Sequence, residues 1–145
     1  MAMGAASVTK DDEVVERMFQ IGLDAGIAFQ IKDDIFDYQS KGLLGKPTGN
    51  DIKEKKITLP LLYILNNCES GERGRILNLI KKKNKNQAKV KELVDLVVSR
   101  GGLEYASKVM NEFREKAIAG IMEFPESESR TALIELVNYT TTRQK

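Results

Sequence analysis

The sequence predicts an all-α helical bundle, and three observations carry that expectation. Only three prolines punctuate its 145 residues. No run alternates apolar and polar side chains for long enough to read as a strand. Apolar residues recur instead at the three- and four-residue spacing of helix faces.

The elements follow in order. The opening MAMGAASV is small and apolar but lacks the basic start of a signal peptide, and it reads as the tail of a helix whose earlier part is missing. Thr9 and Asp12 resemble a capping box, which predicts a long helix from about Lys10 to Tyr38. Gly42, Gly45, Pro47 and Gly49 predict a loop from Gly42 to Lys56. Thr58 is placed to cap the next helix, with Pro60 tolerated in its first turn and an end near Leu65. A break at Gly71 precedes a helix carrying Ile76, Leu79 and Ile80. Val90, Leu93, Val94, Val97 and Val98 then form an i, i+3, i+4, i+7, i+8 stripe that ends at Gly101–Gly102. A long amphipathic helix follows with Ala106, Val109, Met110, Phe113, Ala117 and Ile121. Pro125 stops it, and a last helix carries Leu133, Leu136 and Val137. These stripes predict core. There is no internal repeat and no low-complexity linker, so residues 1–145 read as one domain, large enough to bury a core.

The bulk numbers exclude several function classes. A net charge of +2 is too small to make nucleic acid or an anionic membrane the main partner. Lys81, Lys82, Lys83 and Lys85 read as a solvated helix end. Cys68 is the only cysteine, which rules out a disulfide framework and a cysteine zinc site and fits a reducing cytoplasm. The absence of histidine removes Ser-His-Asp, Cys-His and histidine-ligated metal chemistry together. Catalysis, if any, must run on carboxylates, lysines, metal or the substrate itself. No window approaches the roughly 18 apolar residues of a membrane span.

Chemistry concentrates between Phe29 and Pro60, which read FQIKDDIFDYQSKGLLGKPTGNDIKEKKITLP. Gln30, Asp33, Asp34 and Asp37 stand at i, i+3, i+4 and i+7, one face of a helix. Three carboxylates on one stripe repel each other and ask for a divalent cation. Phe29 and Phe36 flank the stripe on one side, and Ile27, Ile31, Ile35 and Tyr38 on the other. Higher on the same face come Leu23 and Gly26, with Gly22 beside them. A glycine inside a helix costs about 1 kcal/mol against alanine, so these two need a reason. Room for an elongated apolar ligand and close helix–helix packing both supply one.

A DDxxD pattern alone is weak, arising by chance in about 2% of chains of this size. Its company is what matters. Lys46 and Lys56 follow it and can meet phosphate oxygens as point charges, with Asp51 between them to orient a lysine or a metal-bound water. Lys53 and Lys55 read as exposed. The loop is not a P-loop, because only two residues separate Gly42 from Gly45 and Pro47 follows the lysine. It is not an EF-hand either, since the required glycine is missing. Few oxygen ligands with phosphate completing the shell favour Mg²⁺ over Ca²⁺.

The run from Gly26 to Pro60 closely resembles the second aspartate-rich region of the trans-prenyl diphosphate synthases. Phe29, Gln30, Asp33, Asp34, Asp37, Gly45, Lys46, Gly49, Asp51, Lys56, Thr58, Leu59 and Pro60 match its pattern, and Lys55 departs from it by replacing the usual glycine. Gly101 to Ala106 and Leu133 to Arg143 also resemble that family's C-terminal helices. The resemblance implies a partial isoprenoid synthase-type fold and a homodimeric parent. It implies that Asp33, Asp34 and Asp37 bind Mg²⁺ bridging the diphosphate of an allylic prenyl substrate. Lys46 and Lys56 would contact that diphosphate, with Gln30 and Phe29 supporting it and Asp51 behind. Loss of diphosphate would leave an allylic cation for attack by the double bond of isopentenyl diphosphate.

One departure stands out. The sequence has a single DDxxD and no upstream basic set for isopentenyl diphosphate, so it matches the C-terminal half of such an enzyme. The expectation is a fragment or half-length relative, inactive or nearly so by itself. The alternative is a non-catalytic partner subunit of a full-length synthase. A class I terpene cyclase piece also carries DDxxD, but the Gly-Lys-x-x-Gly-x-Asp loop argues against it.

Overall fold

A computed structural model of the protein describes residues 1–39, 49–54, 56–81 and 87–143. Among them every regular element is an α-helix, as the spacing predicts. These are α1 (Ala2–Val8), α2 (Asp12–Gln39), α3 (Asn50–Lys53), α4 (Leu59–Asn67), α5 (Ser70–Lys81), α6 (Gln87–Ser99), α7 (Gly102–Met122) and α8 (Glu128–Thr142). Gly42, Gly45, Lys46, Pro47, Lys55, Lys82, Lys83 and Lys85 lie outside the described residues. Among the described residues, no helix is long and apolar enough to cross a membrane.

Three boundaries differ from expectation, each for a local reason. α2 begins at Asp12 because Asp11, not Thr9, caps it: the Asp11 carboxylate accepts the amides of Glu13 at 3.0 Å and Val14 at 3.4 Å. Thr9 Oγ1 instead accepts the Asp11 amide and shapes the entry. Gly71 sits inside the first turn of α5, whose ladder already starts with Arg73 donating to Glu69 O at 2.9 Å. The short α3 interrupts the expected loop; four residues are too few for periodicity to announce.

The chain divides into two compact units, residues 33–107 and residues 1–32 with 108–145. In the first, the end of α2 joins α3 to α6 around Leu61, Ile64, Ile76, Leu93 and Val97. The α6 stripe is buried at Val90, Leu93, Val94 and Val97, but Val98 is exposed. At 100° per residue it lies about 90° from the centre of the other four. Gly102 opens α7 where the chain is tight: a Cβ there would lie 2.8 Å from both Pro60 O and Val97 Cγ1. Cys68 closes α4, its Sγ donating to Leu65 O at 3.5 Å.

In the second unit, Ile21, Ala117, Ile121 and Val137 form a core backed by Phe124, Leu133 and Ile134. Leu136, expected in the stripe of α8, is exposed. Ser127 caps α8 by accepting the Arg130 amide at 3.1 Å, and the Arg130 guanidinium donates to Phe124 O at 2.9 Å across the Pro125 turn. The two α2 glycines differ. Gly22 faces the Met1 side chain, 3.5 Å from an added Cβ, whereas nothing described stands within 4 Å of one at Gly26. Among the described residues, Gly26 therefore has no close-packed neighbour.

These contrasts make a paired prediction for urea unfolding. Gly102→Ala should lose about 1–3 kcal/mol, because backbone rather than a flexible side chain blocks the methyl. Gly26→Ala should gain about 0.5–1 kcal/mol from helix propensity in open space. Equal effects would show that the seat of Gly102 is not tight.

Candidate functional site

The last turns of α2 bury Ile35, Phe36 and Tyr38, which turns the aspartates away from the core. Asp33 is exposed, and Asp34 and Asp37 are half-buried. No basic residue occupies the last turn of α2. The carboxylates therefore crowd the negative pole of the helix dipole, where anions are disfavoured.

Backbone amides engage Asp37 directly. Asp37 accepts the amide of Asn50 on Oδ1 at 3.0 Å and that of Asp51 on Oδ2 at 3.1 Å. Its carbonyl also accepts the Gly49 amide at 3.1 Å. Asp37 thus caps α3 from outside, in place of the Gly49 side chain that does not exist. Gly49 itself is left-handed at φ 76°, and an added Cβ would meet Val90 Cγ1 at 2.6 Å, so only glycine fits this approach to α6. The backbone N–H of Leu59, the first residue of α4, faces the Asp34 carboxyl and favours its ionised form.

Burial pushes the Asp34 carboxyl above its ordinary 3.8, and repulsion from Asp51, Asp33 and Asp37 adds to the rise, while the Leu59 amide works the other way. Burial likewise pushes the Tyr38 hydroxyl well above its usual range, keeping it neutral. That hydroxyl lies 2.7 Å from Thr58 Oγ1. Thr58 does precede α4, as expected of a cap, but its side chain makes no capping bond to the helix.

Lys56 stands beside this turn. Its amide donates to Asp51 O at 2.8 Å, and its ammonium lies 3.3 Å from Asp51 Oδ1 and 2.7 Å from Glu54 Oε2. The ammonium remains exposed to solvent, so these pairs are screened. Asp51 and Lys56 are therefore brought together, with Glu54 as a third member that the motif did not single out. The nearby acidic residue was visible, but nothing in its spacing marked it. Lys53 is exposed; Lys46 and Lys55 lie outside the described residues. On the earlier part of α2, Gln30 is exposed. Phe29 carries the guanidinium of Arg143, its carbon 4.7 Å from the ring centroid, a contact that a separation of 114 positions made illegible.

Among the described residues, no three or more His, Cys, Asp or Glu side chains form a ready-made metal cage. The donor set is nonetheless all hard carboxylate oxygen, and the mutual repulsion at Asp34 is what a cation would relieve. Mg²⁺ takes one or two carboxylates and completes its shell with phosphate and water, so an open acidic strip suits it.

An all-α fold with this acidic helix and lysine turn is of the isoprenoid synthase type, and its relatives bear that out. Residues 1–97 match the profile of the polyprenyl synthetase family, and the chain belongs to that family. It is 33% identical over 142 residues to the chloroplastic solanesyl diphosphate synthase 2 of Arabidopsis thaliana, covering 97% of this chain and 33% of that protein. The geranylgeranyl pyrophosphate synthase of Bacteroides thetaiotaomicron superposes with a TM-score of 0.88 at 34% identity, covering 98% of this chain and 47% of that one. A polyprenyl synthase of Caulobacter crescentus, solved with calcium and isoprenyl diphosphate, gives a TM-score of 0.85 at 30% identity over 99% of this chain and 44% of that one. The chain thus spans between a third and a half of the length of these relatives. The Arabidopsis relative is chloroplastic, so family membership alone does not carry the cytoplasmic expectation.

The raised Asp34 carboxyl fixes the sign of a pH effect. The folded state holds this proton more tightly than the unfolded chain does, so folding loses stability as pH rises through and above 3.8. Asp34→Asn keeps an acceptor for the Leu59 amide without the charge. It should raise the melting temperature at neutral pH, with the gain closing as pH falls below 3.8. A gain that persists in acid would rule out ionisation as its source.

Proposed function

We propose that this chain carries the allylic-substrate half of a prenyltransferase that condenses an allylic prenyl diphosphate with isopentenyl diphosphate. The observation behind this reading is the gathering of Asp33, Asp34, Asp37, Asp51 and Lys56 by α2, α3 and the turn before α4. Asp33, Asp34 and Asp37 would hold Mg²⁺. Bound there, Mg²⁺ would bridge the carboxylates to the diphosphate and neutralise charge on the departing group.

The chain's own groups divide the remaining work. Lys56 and Lys46 would offer ammonium groups to diphosphate oxygens, Lys56 from its place beside Asp51 and Glu54. Gln30 would donate from its amide, and Phe29 would wall the head of the site. The open strip at Gly26, beside exposed Leu23 on α2, suits an apolar prenyl tail. A full condensation site also needs groups for isopentenyl diphosphate, and the single aspartate-rich motif leaves those to other residues.

Calorimetric titration of an isoprenoid bisphosphonate tests this reading. Binding should require Mg²⁺ and weaken by at least about tenfold in the Asp33→Ala/Asp34→Ala variant. Binding indifferent to Mg²⁺ or to the variant would remove the site. Chain elongation by the purified 145-residue protein would overturn the half-site reading and make the chain a complete enzyme.

A further inference from the structure

Thr58 and Tyr38 are among the few polar side chains well buried in the unit formed by residues 33–107, 6% and 5% exposed, and their hydroxyls are 2.7 Å apart. A hydroxyl buried without a partner is costly, so each needs the other. Thr58 could have capped α4, the common use of threonine at that position, but its side chain turns to Tyr38 instead. The amide of the next residue, Leu59, faces Asp34 of the same helix. Asp34 and Tyr38 are four residues apart on α2, one above the other on one face. Together they grip two consecutive residues at the head of α4.

Lys56 lies two residues before this grip. Its ammonium is solvent-exposed, and its pairs with Asp51 and Glu54 are of the surface kind that holds a long side chain only loosely. What can restrict it is the backbone on either side. Upstream, its amide is tied to Asp51 O; downstream, the chain is tied by Thr58 and Leu59. A lysine that must meet a phosphate gains from being placed beforehand, because the ordering is then complete before the ligand arrives.

We propose that Tyr38, through its hydroxyl bond to Thr58, is a positioning residue for Lys56 that anchors the 56–58 turn so the ammonium stands at Asp51, ready for a diphosphate oxygen. The inference rests on the diphosphate reading above for its purpose, and on the buried hydroxyl pair for its mechanism. Tyr38→Phe removes one oxygen and keeps the ring in the core. Thr58→Val removes the partner hydroxyl at constant shape, and Thr58→Ser restores it.

Two measurements test the proposal. The first needs no ligand: the ¹⁵N order parameter of the Lys56 ammonium should fall in Tyr38→Phe and Thr58→Val and stay at the wild-type value in Thr58→Ser. The second is titration of inorganic pyrophosphate with Mg²⁺. Tyr38→Phe should weaken affinity by roughly three- to tenfold, the size expected of one buried hydrogen bond, and should add nothing further in a Lys56→Met background. An unchanged Lys56 order parameter overturns the proposal, as does an equal loss of affinity with and without Lys56. If Tyr38→Phe fails to fold, the Thr58→Val and Thr58→Ser pair decides the same question. Wild-type protein that binds no pyrophosphate would overturn the diphosphate reading separately, while the order parameter still judges the anchor.

Discussion

Three carboxylates at the C-terminal end of a helix are an electrostatic liability, and the fold around residues 33–59 is organised by how it is met. The helix dipole, the mutual repulsion of Asp33, Asp34 and Asp37, and the nearby Asp51 all act against the same charges. The chain answers by bringing two helix beginnings to them. Amides of Asn50 and Asp51 open α3 on Asp37, and the amide of Leu59, at the start of α4, faces Asp34. The orphan donors that every helix start exposes meet the surplus acceptors of α2, and each solves the other's problem. Because α3 begins on Asp37, the acidic stripe is a structural device as well as a chemical one.

The core of residues 33–107 then holds the arrangement in place. Ile52, from the four-residue α3, is buried in the same cluster as Val90, Val94 and Leu93 of α6. Gly49 lies against those valines too closely for any side chain. The turn that carries Asp51 and Lys56 is therefore wedged between an electrostatic anchor on α2 and an apolar anchor on α6, although the ammonium itself stays in solvent.

Helices were legible where periodicity was long. The stripe of α6 and the face of α7 announced themselves through apolar spacing: Val90, Leu93, Val94 and Val97 are buried in α6 and Ala106, Met110, Ala117 and Ile121 in α7, whereas Val98 and, in α8, Leu136 are exposed. The acidic helix was legible because its residue types recur on one face. Bonds between distant side chain and backbone were not. Asp37 capping α3 spans thirteen residues, and no local pattern distinguishes a carboxylate that will accept amides from one that will face solvent. Thr58 shows the same limit: its position before a helix was readable, whereas the diversion of its hydroxyl to Tyr38 depends on a partner twenty residues away. Asp11 displaced Thr9 as the cap of α2: the carboxylate two residues along takes the amides of Glu13 and Val14, while Thr9 takes that of Asp11.

The thiol of Cys68 carries a consequence of its own. It sits at the far end of α4 from the Asp34 and Tyr38 grip, partly buried, with its hydrogen given to Leu65 O. Opening of the last turn of that helix would free the partly buried thiol further, so a change in its labelling rate under native conditions reports on local opening. As the sole cysteine of the chain, it reports on that one event without interference from another sulfur. The protein thus contains a built-in probe of whether a grip on the first turn of α4 is felt at its last.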